Sequence, residues 1–318
     1  MSQLSLFGQT LRPEAALFFS RGDPNDVRLG QIVRRDPAEY DAARVVILGC
    51  PQDEGVRRNG GRLGASAAPT EIRRALYRLA TDGLAALPLF DLGDTRILPH
   101  LEDTHDLHEA VVRRLLDDGK IVVSLGGGND LAYPDVAALS RATSGNVLAF
   151  NVDTHYDVRA DTPRNSGTPY RQLLDAGLLA PQRFVEIGQQ PFANSPVYRQ
   201  YLADTGVRCW SLRELRVAGL ARVVQGVLAE GQARAVFWGL DMDVVRVADA
   251  PGVSAPNPVG MTGEEFCHIA EIAGAEPRTR LIELTEVNPT YDVDGRTARL
   301  AAIALYHFLA AFADQQGA

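Results

Sequence analysis

The 318-residue chain has 32 Lys plus Arg against 40 Asp plus Glu, a formal net charge of −8, which disfavours nucleic acid or an anionic membrane surface as partner and suits cations. Its three cysteines, Cys50, Cys209 and Cys267, are widely spaced without a CxxC pair, which argues against a disulfide framework or a zinc–thiolate site and suits a reducing cytoplasm. No apolar stretch reaches the roughly eighteen residues of a membrane span, and the region from Arg12 to Arg21 lacks a cleavage pattern, so neither membrane insertion nor export is expected.

Residues 1–42 hold turn formers such as Gly22-Asp-Pro24-Asn25 and read as an extension packed on one large domain spanning 43–318. At 44–49 a short β-branched run begins a repeating unit, followed by a polar, glycine-containing loop over 51–64 and a helix over about 66–80 with Pro69 near its first turn. Further strands are expected at 87–92, 121–125, 146–152, 183–187, 207–210, 233–240 and 279–285. The helices between and after them are expected near 104–118, 130–142, 169–178, 194–203, 211–230, 262–275 and 294–315. Several strands are continuous apolar runs, the pattern of strands covered on both faces, so the fold class is α/β with an open, mostly parallel sheet of about eight strands.

In such sheets ligands sit beyond the carboxyl ends of the strands. Four strands here run directly into metal-compatible side chains: Gly126-Gly-Gly-Asn129 after 121–125, Asp153-Thr-His155-Tyr-Asp157 after 146–152, Asp241-Met-Asp243 after 233–240, and Glu286-Val-Asn288-Pro289 after 279–285. Each piece has an ordinary structural explanation, a turn aspartate or a helix-start acid. Four on one sheet edge favour a metal site. If the ends converge, Asp153, Asp157, Asp241, Asp243 and Glu286 bring five carboxylates together, and like charges at that spacing need either protons or cations. Hard oxygen donors with one imidazole favour manganese, and two such ions can activate water for hydrolysis. The glycine run lacks both P-loop and dinucleotide spacing. His100, His105, His108, His268 and His307 lack companion ligands and read as surface or packing residues.

Taken in order, these segments resemble the GGxH, DxHxD, DxD and EVNP marks of the ureohydrolase family: arginases, agmatinases and formimidoylglutamases. The resemblance covers residue 43 onward and implies a three-layer α/β/α fold, two Mn²⁺ per subunit and hydrolysis of a C–N bond in a guanidine or amidine. It further implies that Asp153 and Asp241 bridge both metals, that His155 and Asp243 complete one site, and that Asp157 and Asn129 complete the other. Asp157 would also orient the attacking hydroxide, and Glu286 would pair with the cationic substrate group. Two loops are similar to formimidoylglutamases: Asp53-Glu-Gly-Val-Arg57-Arg58-Asn59-Gly-Gly-Arg62, and Asn165-Ser166-Gly-Thr-Pro-Tyr-Arg171. Arg57, Asn59, Arg62, Asn165, Ser166 and Arg171 are therefore the expected substrate-binding residues, guanidinium forks suiting a substrate with two carboxylates.

The expected function is hydrolysis of N-formimidoyl-L-glutamate to L-glutamate and formamide, in histidine breakdown, by a cytoplasmic homo-oligomer. An agmatinase- or guanidinobutyrase-like activity is one alternative, and a metal-deficient relative with a binding or regulatory role is another. Two departures bear on that choice. Asn129 stands where the family has its first histidine ligand, which predicts a looser metal site. No histidine occupies the family's proton-shuttling position. The Pro- and Ala-rich segment from Asp249 to Pro258 is expected to form a lid loop walling the cleft.

Overall fold

Apolar runs without polar alternation become the inner strands of a sheet covered on both faces. A computed structural model of the chain describes residues 6–230 and 232–317, and nine strands among them form one sheet. In chain order they are β1 (Thr10–Leu11), β2 (Val45–Gly49), β3 (Leu89–Thr95), β4 (Ile121–Leu125), β5 (Val147–Val152), β6 (Phe184–Gln189), β7 (Arg208–Ser211), β8 (Ala235–Asp241) and β9 (Thr279–Thr285). The α-helices are α1 (Leu29–Ile32), α2 (Glu54–Arg58), α3 (Ala68–Leu76), α4 (Leu101–Asp117), α5 (Ala132–Thr143), α6 (Pro169–Asp175), α7 (Pro196–Thr205), α8 (Leu212–Ala218), α9 (Leu220–Glu230), α10 (Gly263–Ala275) and α11 (Arg296–Gly317).

Alternation along the strands divides the core into two layers. Val45, Ile47, Val123 and Phe150 pack with α3, α10 and α11 on one face, while Val46, Leu48, Val122 and Ala149 pack with α4 and α5 on the other. The result is the expected α/β/α sandwich. Strand order is β1-β3-β2-β4-β9-β8-β5-β6-β7, parallel except for the β1–β3 edge. This order sets β4, β9, β8 and β5 side by side, so the four ligand-bearing ends meet at the centre of one rim.

Three local expectations need correction. The two-residue β1 adds a ninth strand, too short to show a period of its own. Within the expected loop 51–64, residues Glu54–Arg58 form the short helix α2. The helix expected over 211–230 is two, α8 and α9, because Gly219 takes φ +90° between them. His105 and His108, read as surface or packing residues, are packing residues: both are fully buried, each paired with an aspartate. Within the first 42 residues, Leu17, Leu29 and Val33 enter the core, whereas residues 1–5 of that expected extension lie outside the described residues, as does Ala318. No helix among the described residues is long and apolar enough to cross a membrane.

Candidate metal centre

The alternate spacing of the acids has a local cause. Asp153 Oδ1 accepts the His155 backbone N–H at 2.7 Å, and Asp241 Oδ1 accepts that of Asp243 at 2.8 Å. Each aspartate thus turns the chain at the end of its strand and holds residue i+2 at the same rim of the sheet. The glycine run after β4 lets the Asn129 turn approach closely: a Cβ at Gly127 would lie 1.6 Å from the Gln52 carbonyl oxygen. From there the Asn129 backbone N–H donates to Glu286 Oε1 at 2.7 Å, and Glu286 N–H donates to the Gly127 carbonyl at 2.8 Å. Asp157 and Glu286 both hold left-handed backbone, φ +48° and +63°. Neither is glycine, and such strain collects where side-chain direction matters most.

Two groups of donors result, Asp153–His155–Asp243 and Asp153–Asp157–Asp241, each with its ligand atoms within 4.8 Å of one another. Asp153 belongs to both. His155 Nδ1 lies 3.3 Å from Asp153 Oδ1 and 3.2 Å from Asp243 Oδ2. Burial and the neighbouring carboxylates push Asp157, Asp241 and Glu286 well above the ordinary carboxylate range. Burial likewise raises Asp243, to about 6, against the opposing pull of His155. His155 is itself raised: burial opposes its charge, but Asp243 and Asp153 outweigh burial. The buried Asp243 Oδ1 has no hydrogen-bond partner. An acid cluster this crowded, with an unsatisfied oxygen facing it, fits a pair of divalent cations.

The signs predict how the protein responds to pH. A carboxyl whose folded pKa is raised costs stability as pH climbs from its unfolded value near 4 through its folded one, about 6 for Asp243, and raised His155 loses its contribution in the same direction. Metal-free protein should therefore melt at a higher temperature at pH 5 than at pH 8. With Mn²⁺ the order should reverse, because cations compete with protons for the same oxygens. Calorimetry at the two pH values, with and without the metal, checks this.

Above the acids lies a polar cavity of about 500 Å³. Asn59 and Ser166, both expected in the substrate site, line it together, Asn59 Nδ2 donating to Ser166 Oγ at 3.0 Å. The other expected substrate residues are not among its lining. Arg57 is forked onto Glu54 at the surface, at 2.6 Å from each nitrogen. Arg62 stacks on Tyr291 and donates to the Pro251 and Val253 carbonyls, so it pins the 249–258 segment from behind. Arg171 pairs with Asp175 and stacks on Tyr201. Asn165 closes its own turn, accepting the Gly167 N–H at 2.9 Å. Loop arginines read from sequence carry no direction, and here nearer acids and carbonyls claim them. The arginine that does line the cavity is Arg159, two residues after Asp157, whose stem runs against Gly167: a Cβ there would lie 2.8 Å from Arg159 Cδ. Its place in the same strand-end stretch as Asp153 and Asp157 was the available signal. The 249–258 segment supplies Ser254 and Ala255 as a wall, and Ser254 Oγ donates to Glu286 Oε2.

A family model described as the arginase family matches residues 43–311. The chain belongs to that family. A formimidoylglutamase of Ralstonia nicotianae is 35% identical over 298 residues, covering 89% of this chain and 91% of its own. Among solved structures, Trypanosoma cruzi formiminoglutamase with Mn²⁺₂ matches at TM-score 0.85 and 34% identity, covering 91% of this chain and 99% of that one. Bacillus subtilis formimidoylglutamase matches at TM-score 0.87 and 28% identity, covering 93% and 94%. In this arginase-family chain Asn129 turns its Nδ2 toward Asp157 Oδ2 at 2.6 Å and Asp153 Oδ2 at 3.3 Å, while its Oδ1 accepts from Thr285 Oγ1 at 3.1 Å. Half a turn of the amide would offer Oδ1 to the same point, and the Thr285 hydroxyl, donor and acceptor at once, serves either orientation.

Proposed function

We infer that this chain is a manganese-dependent hydrolase of linear amidines that cleaves N-formimidoyl-L-glutamate to L-glutamate and formamide. The observation that carries the reading is the double donor group sharing Asp153 at the floor of a polar cavity, with one guanidinium, Arg159, on its wall. Bound manganese supplies Lewis acidity and water activated for attack. Within this reading Asp153 and Asp241 would help hold both ions, His155 and Asp243 would complete one site, and Asp157 with Asn129 would complete the other. Glu286 holds the cationic amidinium, oriented by the Asn129 amide and the Ser254 hydroxyl. Arg159, with Asn59 and Ser166, receives the carboxylates of the glutamate part. Water adds to the planar amidine carbon to form a new C–O bond, the bond to the glutamate nitrogen breaks as that nitrogen takes up one proton of the water, and the other nitrogen takes the second and stays on the carbon as formamide.

The test is formamide release by chelated protein reloaded with Mn²⁺, with formimidoylglutamate, agmatine and guanidinobutyrate compared side by side. Turnover of the first alone is expected; turnover of agmatine or guanidinobutyrate without it would overturn the assignment. A neutral amide oxygen binds Mn²⁺ more weakly than imidazole, so Asn129→His should tighten the weaker site by about tenfold. Titration of metal followed by calorimetry reads this, and an unchanged isotherm would remove Asn129 from the ligand set. The same reading takes 43–318 as one catalytic domain carrying 1–42 on its surface, in a cytoplasmic homo-oligomer; sedimentation of the full chain tests the last point.

A further inference from the structure

Behind the metal donors a second polar cluster ties together three separate segments of the site. His105 on α4 is fully buried between two partners: its Nε2 lies 2.8 Å from Asp130 Oδ2, and its Nδ1 lies 3.0 Å from Arg164 Nη1. A guanidinium only donates, so Nδ1 must be the bare nitrogen and Nε2 carries the proton given to Asp130. The imidazole is thereby neutral and fixed in one tautomer. Asp130 Oδ2 also accepts from Gln52 Nε2 at 2.7 Å, while its Oδ1 lies against α2, where a Cβ at Gly55 would come within 2.0 Å. Arg164 is held on its other edges: its Nε donates to Gln172 Oε1 at 2.8 Å, its plane stacks 3.7 Å from the Tyr133 ring, and its carbonyl accepts from Arg58 Nη1 at 2.9 Å.

The ends of this chain of contacts are the parts of the site. Asp130 follows Asn129, beside the metal donors. Arg164 precedes Asn165 and Ser166, and Ser166 N–H donates to the Gly55 carbonyl at 3.2 Å, which fastens the same loop to α2, the helix directly before Asn59. We propose that Arg164 and His105 are positioning residues that clamp the Asn129–Asp130 turn to the Arg164–Ser166 loop, fixing the Asn59–Ser166 wall relative to the metal donors. The proposal rests on the hydrolase reading, with Asn59 and Ser166 as substrate contacts. Directional bonds to buried partners have that consequence because a loop displaced by about 1 Å no longer presents its donors to the substrate. A surface ion pair in place of the His105–Arg164 contact would not, since it would be screened and loose.

The test uses the Mn²⁺-loaded full chain with Arg164→Met, His105→Leu and His105→Gln. Arg164→Met and His105→Leu should each raise KM for formimidoylglutamate by about tenfold, with a smaller change in kcat and unaltered metal content. His105→Gln should restore KM to near the wild-type value, because its amide oxygen accepts from Arg164 while its NH₂ donates to Asp130. In the metal-free wild type, nitrogen-15 shifts should show His105 neutral and protonated at Nε2. An Nδ1-protonated or cationic His105, or an unchanged KM in well-folded Arg164→Met and His105→Leu, would overturn the clamp. If Arg164→Met does not fold, the two His105 variants and the spectrum decide. If the wild type hydrolyses none of the amidines, the hydrolase reading fails by that result alone, and the spectrum still judges the clamp.

Discussion

Asp153→Asn is expected to lower kcat/KM by about four orders of magnitude, roughly 5 kcal/mol of lost transition-state stabilisation. Asp153 is the carboxylate common to both donor groups, so its replacement takes a charged ligand from each ion at once. The substitution keeps the volume, the His155 N–H at 2.7 Å can still find the amide oxygen, and the NH₂ that replaces Oδ2 can be met by the Asn129 amide with its oxygen turned toward it. The loss is therefore not one of packing. Elemental analysis after dialysis should show metal falling below the wild-type content, and Mn²⁺ should no longer raise the melting temperature. Retained metal together with near-normal turnover would break the view that one residue serves both ions.

Glu286→Gln is expected to lower kcat/KM by two to three orders of magnitude, about 3–4 kcal/mol, while leaving bound metal unchanged. The carboxylate is buried, lines the cavity above the acids, and is aimed by two donors, the Asn129 N–H at 2.7 Å and the Ser254 hydroxyl. A glutamine can keep both contacts, since its oxygen accepts from the Asn129 N–H and the Ser254 hydroxyl oxygen can instead accept a hydrogen bond from its NH₂. What disappears is the charge that complements the amidinium in a site shielded from water, where such complementarity is strongest. Steady-state kinetics with metal analysis on the same samples separates this role from that of a ligand: if metal is lost along with activity, Glu286 belongs to the metal shell.

Both positions were named from the sequence, after the strands expected at 146–152 and 279–285. Asp153, His155 and Asp157 were legible as candidates because they stand at alternate positions after a buried strand, and the first step of that spacing is held locally by the Asp153 carboxylate capping the amide two residues on. The Asp241–Asp243 pair repeats the device. The guanidinium wall was not legible. Arg57, Arg62 and Arg171 look equally available in the sequence, and only the folded chain shows Glu54, the Val253 carbonyl and Asp175 already engaging them. His105 and Asp130 are 25 residues apart on different elements, a pairing that no periodicity announces.

The amino-acid order alone determined which segments are buried strands, and that acids, an amide and an imidazole follow four of them, because burial and turn chemistry are set by near neighbours. Which strands became neighbours was decided only by tertiary packing. The chain lays down β5, β6 and β7 before β8 and β9 return to fill the space beside β4, giving the succession β4-β9-β8-β5. That late return depends on how long crossovers cover the two faces of the sheet, a global packing outcome, and it is what gathers four separated polar turns, three of them acidic, at one floor.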